Sequence, residues 1–417
     1  MRLLRYLLVL ILIAAIAVGL WYFRPWSDYS PAKFASLDKP EKLTHNFTNM
    51  ASLVPSSQVA ASSKPQLLEN AATPIDVLAI EYQFEGKTRP IADFIPEASV
   101  LGLMVLQGGQ IKFESYFQDT NDETLYTSWS VAKSFVATVI AMAVEEGLIE
   151  SLDDSVSQYA PQYEGSHYGE ASLRALLAMS SGIEFDENYA SNDSDIRPFF
   201  FDAFILRKDP DSLLTPYTRS RDEFTDFDYI SPNSHVLSAV LRGVYKKPLA
   251  DIIEEKIWQP LGMSSNANWL QHKPGEGGQG LGYCCLNATL KDYARFGLFH
   301  LDAQLGKGLG ASILPQAWRE SLMVPASEQH KRGGAKYAGR GYSSHFWLPP
   351  NDTGVFFAAG VYGQYIWIDP ARDLVIVRTS SDPDWTPRFL ESEAVFMAIS
   401  AAIDNQNVIT LRGKVGG

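Results

Sequence analysis

Ser130 and Lys133 place a hydroxyl and an amine three residues apart at the start of an apolar segment. Side chains at this spacing share one face of a helix, so the amine can reach the hydroxyl. Residues 135–144 are apolar nearly all round, which is typical of a helix buried in a core. Burial disfavours a charged lysine and favours the neutral amine, which can accept a proton. The pair therefore predicts a serine nucleophile that carries its own base.

The Ser-x-x-Lys spacing alone is weak evidence, because it occurs twice more in this chain. Both other matches, at residues 30–33 and 36–39, lie beside Pro31 and Pro40, which argue against a packed helix. A capped core helix whose lysine reaches toward solvent would also explain the match at Ser130. The assignment therefore depends on the rest of the chain.

The composition excludes some classes of function. The 417 residues carry a net charge of -13, whereas proteins that bind nucleic acid need a basic face, so we predict no nucleic-acid partner. The two cysteines, Cys284 and Cys285, are adjacent, so neither a disulfide framework nor a cysteine-rich metal site can be built. They are most simply interpreted as buried small residues.

The N-terminus carries a strong membrane signal. Arg2 and Arg5 precede the uncharged segment Tyr6–Phe23, and Arg24 follows it. At about 1.5 Å per residue this segment reaches about 27 Å, which suits a spanning helix better than the shorter core of a signal peptide. The arginines favour an orientation with the N-terminus in the cytoplasm.

A cleavage site at Ala15-Ile16-Ala17 is the alternative, but the apolar run continues beyond it to Phe23. We therefore favour an uncleaved anchor over residues 1–24. This predicts a single-pass protein of a bacterial inner membrane, with its catalytic domain in the periplasm or outside the cell.

The remaining chain divides by composition. Residues 25–90, rich in Ser, Ala and Pro, predict a tether and a loosely structured lead-in. The main domain is predicted at 91–405, with helices dominating about 150–325 and a last helix at about 391–403, and 406–417 form a tail. Strand-like runs lie at both ends of the domain: 101–106, 111–117, 355–359, 364–368 and 374–379. The pattern predicts an α/β (α+β) fold, with an antiparallel sheet built from both chain ends, flanked by helices, and an inserted helical region.

Several separated motifs, in order, resemble the serine beta-lactamase and penicillin-binding-protein superfamily over about residues 90–405. Within it they are most similar to the class C-related hydrolases that include esterases and 6-aminohexanoate-dimer hydrolase. The motifs are TSWSVAKSF at 127–135, EEGLI at 145–149, LLAMSSGI at 176–183, YISPN at 229–233, KIWQPLGM at 256–263, DYARFG at 292–297 and GVYGQ at 360–364.

The resemblance implies roles for individual residues. Ser130 would attack an acyl carbon and form an acyl-enzyme, and Lys133 would withdraw its proton directly or through Tyr229. Which of the two takes the first proton stays open here. The amide N–H groups of Ser130 and Gln364 would form the oxyanion hole. The substrate would be contacted by Tyr189, Ser231, Tyr362 and Gly363.

Two departures from the lactamase pattern shift the expected substrate. Ser231 stands where lactamases usually have asparagine, and Val361 stands where they have a cation donor. The missing cation leaves no obvious partner for a lactam carboxylate. We therefore predict a serine hydrolase that cleaves a small ester or amide. The alternatives are a beta-lactamase or D-amino-acid peptidase of the cell wall, and a catalytically silent binding protein of the same fold.

The sequence predicts no cofactor and no metal site. The seven histidines show no H-E-x-x-H or other ligand spacing. The segment 275–280 satisfies G-x-G-x-x-G, but a proline rather than a strand precedes it, so we interpret it as a flexible loop.

Overall fold

A seven-stranded antiparallel sheet forms the centre of the computed structural model, which describes residues 2–191, 193–334 and 336–415. Its strand order is β5-β4-β13-β12-β11-β10-β9, and a four-stranded sheet (β1-β7-β8-β6) and a hairpin (β2-β3) accompany it. The strands are β1 Ser56–Val59, β2 Glu81–Phe84, β3 Lys87–Pro90, β4 Val100–Gln107, β5 Gln110–Tyr116, β6 Tyr126–Thr127, β7 Ala267–Leu270, β8 Leu286–Ala288, β9 Gly341–Ser343, β10 Phe346–Leu348, β11 Phe356–Gly360, β12 Gln364–Asp369 and β13 Leu374–Ser380.

Strands from the two ends of the domain pair with each other in this sheet. Strand β4 pairs with β13, with Val105 opposite Ile376 and Leu103 opposite Arg378. The prediction of one antiparallel sheet built from both chain ends is confirmed. The central strands are apolar on both faces because both faces are covered: Ile366 and Trp367, neighbours on β12, belong to two different cores.

Helices cover the two faces of the sheet and fill the inserted region. Helix α13 packs on one face, against β12 and β13, and α16 packs on the other. The helices are α1 Arg2–Phe23, α2 Pro31–Phe34, α3 Leu43–Phe47, α4 Ile91–Glu97, α5 Val131–Glu145, α6 Val156–Tyr159, α7 His167–Glu170, α8 Leu173–Leu177, α9 Ile196–Phe200, α10 Pro210–Leu214, α11 Ser231–Tyr245, α12 Leu249–Ile253, α13 Leu290–Gln304, α14 Gly308–Ile313, α15 Gln316–Ser321 and α16 Phe389–Val415.

The segment 25–90 differs from the loosely structured lead-in that the sequence predicts. Strand β1 pairs with β7, and Phe47, Val54 and Val59 are buried in the main core. Short apolar patches between Ser and Pro residues thus supply core contacts rather than a free tether. At the other end, α16 continues through most of the predicted tail to Val415.

Helix α1 stands apart from both cores. Its 22 residues include none that is buried, and it is long and apolar enough to cross a membrane. A signal sequence near an N-terminus passes the same test of length and composition. An anchor therefore stays a prediction for this helix.

Candidate active site

Ser130 occupies the position immediately before helix α5, where its hydroxyl is not used to cap the helix. The preceding residue, Trp129, has a φ of 43°, in the left-handed region that a bulky side chain rarely adopts. Helix α5 is buried along Val131–Ala143, which fixes its direction. The strained turn and the rigid helix together hold Ser130 in the lining of a cavity.

Lys133 lies one turn into α5 and points back at the predicted nucleophile. Its Nζ atom is 2.8 Å from Ser130 Oγ and 2.8 Å from the carbonyl oxygen of Tyr283. The side chain is only 1% exposed. Burial lowers the pKa of Lys133 to about 8, and the negative charge of Glu187 opposes that shift. Burial therefore makes the neutral amine, which can accept a proton, far more accessible than in an exposed lysine.

Tyr229 is brought to the same cavity from the loop before α11. Its ring stacks on Trp347 with centroids 5.3 Å apart, and its backbone N–H donates to the hydroxyl of Tyr337 at 2.8 Å. The Nζ atom of Lys133 lies 5.0 Å from the centre of the Tyr229 ring. The structure thus gathers Ser130, Lys133 and Tyr229, as the sequence predicts.

The environment of Tyr229 keeps its hydroxyl protonated. Burial raises the pKa of Tyr229, the nearby carboxylate of Glu187 raises it further, and contact with Ser130 only partly opposes the shift. A phenolate base would need the opposite shift. The buried amine of Lys133 is therefore better placed to act as a base than the Tyr229 hydroxyl, which stays protonated.

Glu187 is a part of the site that the sequence reasoning missed. Its carboxylate accepts hydrogen bonds from the hydroxyl of Ser231 at 2.7 Å, from the backbone N–H of Ser231, and from the hydroxyl of Tyr189 at 2.7 Å. Burial raises the pKa of Glu187, whereas Lys133 and these hydrogen bonds lower it. The only sequence signal was its place two residues before Tyr189.

The turn after β11 lies beside the nucleophile, where the sequence predicts the oxyanion hole. A Cβ placed on Gly360 would lie 2.6 Å from the Ser128 carbonyl oxygen and 3.1 Å from the Ser130 nitrogen, so the end of β11 lies directly against the nucleophile. The next residue, Val361, lines the cavities that contain Ser130. Gln364 lines neither, is 3% exposed, and donates its side-chain amide to the carbonyl of Ser380.

Three of the four predicted substrate-contacting residues line a cavity beside Ser130, and the fourth does not. Tyr189 lines both cavities beside Ser130, and Ser231 and Tyr362 line one of them. Gly363 is buried, with a φ of 91°, and its carbonyl accepts a hydrogen bond from Arg378 at 3.1 Å. It therefore shapes the turn and lines neither cavity.

Cys284 and Cys285 follow the carbonyl that binds Lys133. Both are buried, as predicted, and the structure joins them to each other as a disulfide, a pairing that the sequence reasoning did not consider. They line the second cavity together with Tyr283.

Comparison with known proteins agrees with this geometry. The model of the Beta-lactamase family matches residues 95–396. The chain belongs to the beta-lactamase family. A curated relative, the 6-aminohexanoate-dimer hydrolase of Paenarthrobacter ureafaciens, is 25% identical over 382 residues, covering 88% of this chain and 94% of that protein. These matches point to a serine hydrolase that works through an acyl-enzyme.

Solved structures place this beta-lactamase-family chain in the same fold. A candidate 6-aminohexanoate-dimer hydrolase from Bacillus anthracis has a TM-score of 0.77 at 25% identity and covers 89% of this chain and 96% of its own. An octameric penicillin-binding protein homologue from Pyrococcus abyssi has a TM-score of 0.57 at 18% identity, covering 74% and 76%. The second likeness is one of fold alone.

Proposed function

We propose that this chain hydrolyses small esters or amides through an acyl-enzyme on Ser130. The observation that carries the proposal is the 2.8 Å contact between Lys133 Nζ and Ser130 Oγ, made by a lysine that burial holds partly neutral. A nucleophile and a base within hydrogen-bonding reach are the minimum that covalent acyl transfer requires. The relatedness to aminohexanoate-dimer hydrolases supports an amide or ester as the bond cleaved.

In the proposed acylation step, the neutral amine of Lys133 takes the Ser130 proton as Oγ attacks the acyl carbon. The oxygen of the tetrahedral intermediate is bound by the backbone N–H groups of Ser130 and, in place of Gln364, Val361. One such donor contributes about 10²- to 10³-fold in comparable enzymes. The close approach of Gly360 to Ser130 supports this assignment.

In the proposed collapse of the intermediate, the Tyr229 hydroxyl protonates the departing oxygen or nitrogen. Tyr229 then recovers a proton from the Lys133 ammonium, which restores the neutral amine. Water attacks the acyl-enzyme with Lys133 as its base and releases the acid. Each proton taken from Ser130 or water is thus returned to the leaving group or to Ser130.

A beta-lactam is a poor fit to the charges of the first cavity, which Ser130 and Tyr229 line. Both of its arginines are already paired, Arg221 with Asp228 and Arg340 with Glu393. Valine at position 361 adds no cation. A lactam carboxylate would therefore have to displace an existing ion pair, which supports ester or amide cleavage over antibiotic hydrolysis.

A panel of p-nitrophenyl acetate, aminohexanoate dimer, a D-alanyl amide and a chromogenic cephalosporin tests this proposal. We expect turnover of an ester or amide that Ser130→Ala abolishes. Ser30→Ala, which removes the serine of another Ser-x-x-Lys match, is the matched control and keeps full turnover. Faster hydrolysis of the cephalosporin than of every ester and amide would contradict the substrate class, and turnover in Ser130→Ala would contradict the nucleophile.

We also propose that α1 is retained as a membrane anchor. Its end is attached to the domain, because the Arg24 guanidinium donates to the carbonyl of Ile205 at 3.0 Å. The mass of the protein extracted from membranes should include residues 1–24. A mature N-terminus after Ala17 would contradict the anchor.

A further inference from the structure

Two cavities meet at the proposed nucleophile. The first has a volume of about 870 Å³ and the second about 530 Å³. Ser130, Tyr189, Val361 and Trp385 line both of them. Because an acyl-transfer substrate extends in two directions from its reacting carbon, each cavity can hold one of its two halves.

The two cavities differ in charge, although apolar and aromatic side chains also line much of the first. The first is lined by the carboxylates of Glu184, Asp186, Glu187 and Asp228, among others. The second is lined mainly by apolar side chains, and its charged residues Asp38 and Arg197 are both exposed. Its apolar walls include Phe34, Met50, Val54, Phe200, Phe204 and Ile205. A cavity of this kind favours a hydrocarbon chain over a charged or polar group.

The position of Tyr229, the proposed proton donor, indicates which cavity holds the leaving group and which holds the acyl group. Tyr229 lines the first cavity and does not line the second. The leaving group must lie beside the hydroxyl that protonates it, so it occupies the first cavity. The acyl group then points into the second.

The second cavity also reaches the end of the N-terminal helix. Trp21 and Tyr22 form part of its lining, and Trp26, just beyond, is 68% exposed. Phe201 lines the same cavity and is 46% exposed. Tryptophan and tyrosine at the end of a spanning helix mark the membrane surface. The opening of the cavity would therefore lie at the level of the lipid headgroups.

From these observations we propose that the second cavity binds the aliphatic acyl chain of an amphiphilic ester or amide, which enters from the membrane surface. This inference rests on the proposed hydrolysis at Ser130 and specifies its substrate class. Helix α1 thereby acts as an anchor and as one wall of the entrance.

The test uses the full chain in lipid nanodiscs and a series of p-nitrophenyl esters from acetate to octanoate, with the Ser130→Ala rate subtracted. Each methylene that enters an apolar pocket is expected to raise kcat/KM by about two- to fourfold. Octanoate has about six more methylenes than acetate, so its kcat/KM should exceed that of acetate by about 60-fold or more. A ratio near 1 with Ser130-dependent acetate turnover would overturn this inference and leave the proposed function standing.

A pair of substitutions shows whether the gain comes from this cavity. Ala35 is exposed and lines the second cavity, whereas the exposed Lys33, in the same turn of helix, lines neither. Ala35→Trp should lower the octanoate-to-acetate ratio at least fivefold, and Lys33→Trp should leave it unchanged. Equal ratios in the two variants would overturn the assignment of the cavity. Loss of all Ser130-dependent turnover in the wild type would overturn the proposed function and this inference with it.

A final comparison tests whether the acyl chain of the substrate enters the second cavity from the bilayer or from water. p-Nitrophenyl hexadecanoate exchanges slowly between bilayers, so it can be placed either in the proteoliposomes or in separate vesicles of the same lipid. We expect an initial rate at least fivefold higher when the ester shares the bilayer with the protein. Equal rates would show that the protein takes the ester from water, and would overturn entry of the ester from the membrane surface.

Discussion

The carboxylate of Glu187 accepts a hydrogen bond from the hydroxyl of Ser231 at 2.7 Å, two residues after Tyr229. The same carboxylate binds the Ser231 backbone N–H, so it fixes the start of α11 and the loop that carries Tyr229. Its charge also raises the pKa of Lys133 against the effect of burial. Glu187 is thus a positioning residue that acts on both the proposed base and the proposed proton donor.

Replacing Glu187 by glutamine should shift the pH dependence of the reaction. Loss of the negative charge removes the interaction that raises the pKa of Lys133, so the amine becomes neutral at lower pH. The midpoint of the kcat/KM profile should move toward acid by about half a unit or more. Glu164→Gln, which removes an exposed carboxylate that lines neither cavity beside Ser130, is the control. An unchanged midpoint in Glu187→Gln would show that Glu187 has only a structural role.

The wild-type profile should rise with pH and level off near the pKa of Lys133. The neutral amine is the active form, and its pKa lies at about 8, so kcat/KM for p-nitrophenyl acetate should increase up to that pH. Lys133→Met, which keeps the length of the side chain without the amine, should lower kcat/KM by about 10³-fold or more. A profile that is already flat from pH 5 would exclude Lys133 as the base.

Tyr229→Phe should affect amides more than activated esters. A p-nitrophenolate leaves without a proton, whereas an amine does not, and the raised pKa of Tyr229 keeps a proton on its hydroxyl for the amine to take. We expect kcat/KM for an amide to fall by about 10²- to 10³-fold and for p-nitrophenyl acetate by less than about 10-fold. Equal losses on the two substrates would contradict the role of Tyr229 as the donor to the leaving group.

Gly360→Ala should damage the oxyanion hole. The new Cβ would lie 2.6 Å from the Ser128 carbonyl oxygen, so the end of β11 must move away from Ser130. The loss in kcat/KM should be about 10²-fold, with KM changed little, because the interaction forms in the transition state. Gly334→Ala, where the nearest atom to a new Cβ is 3.9 Å away, should leave kcat/KM unchanged. Full activity in Gly360→Ala would refute a donor at Val361.

Much of the architecture follows from local patterns. The buried α5 and the strands at both chain ends were predictable because they are long apolar runs. The order of the family motifs indicated that these elements belong to one domain. The segment 25–90 escaped prediction because its core contacts, such as Phe47, are scattered singly among polar residues. Periodicity detects a continuous apolar face and misses an irregular segment that packs by isolated side chains.

The candidate active site likewise has parts that the sequence predicts and parts that only the folded structure reveals. Ser130, Lys133 and Tyr229 were predicted because they belong to recognisable motifs. The proposed donor at Val361 was not predicted, because the sequence GVYGQ does not reveal that β11 ends at Gly360 and that the turn begins directly after it. Which amide faces the nucleophile depends on this register, and it is a property of the folded sheet.

The account depends most directly on a covalent bond to Ser130. A fluorophosphonate probe added to the full chain in nanodiscs, followed by peptide mass spectrometry, measures it. We predict a single adduct on the peptide that contains Ser130, absent from Ser130→Ala and formed much more slowly in Lys133→Met. An unlabelled wild type that is folded, or an adduct that persists in Ser130→Ala, would contradict the account.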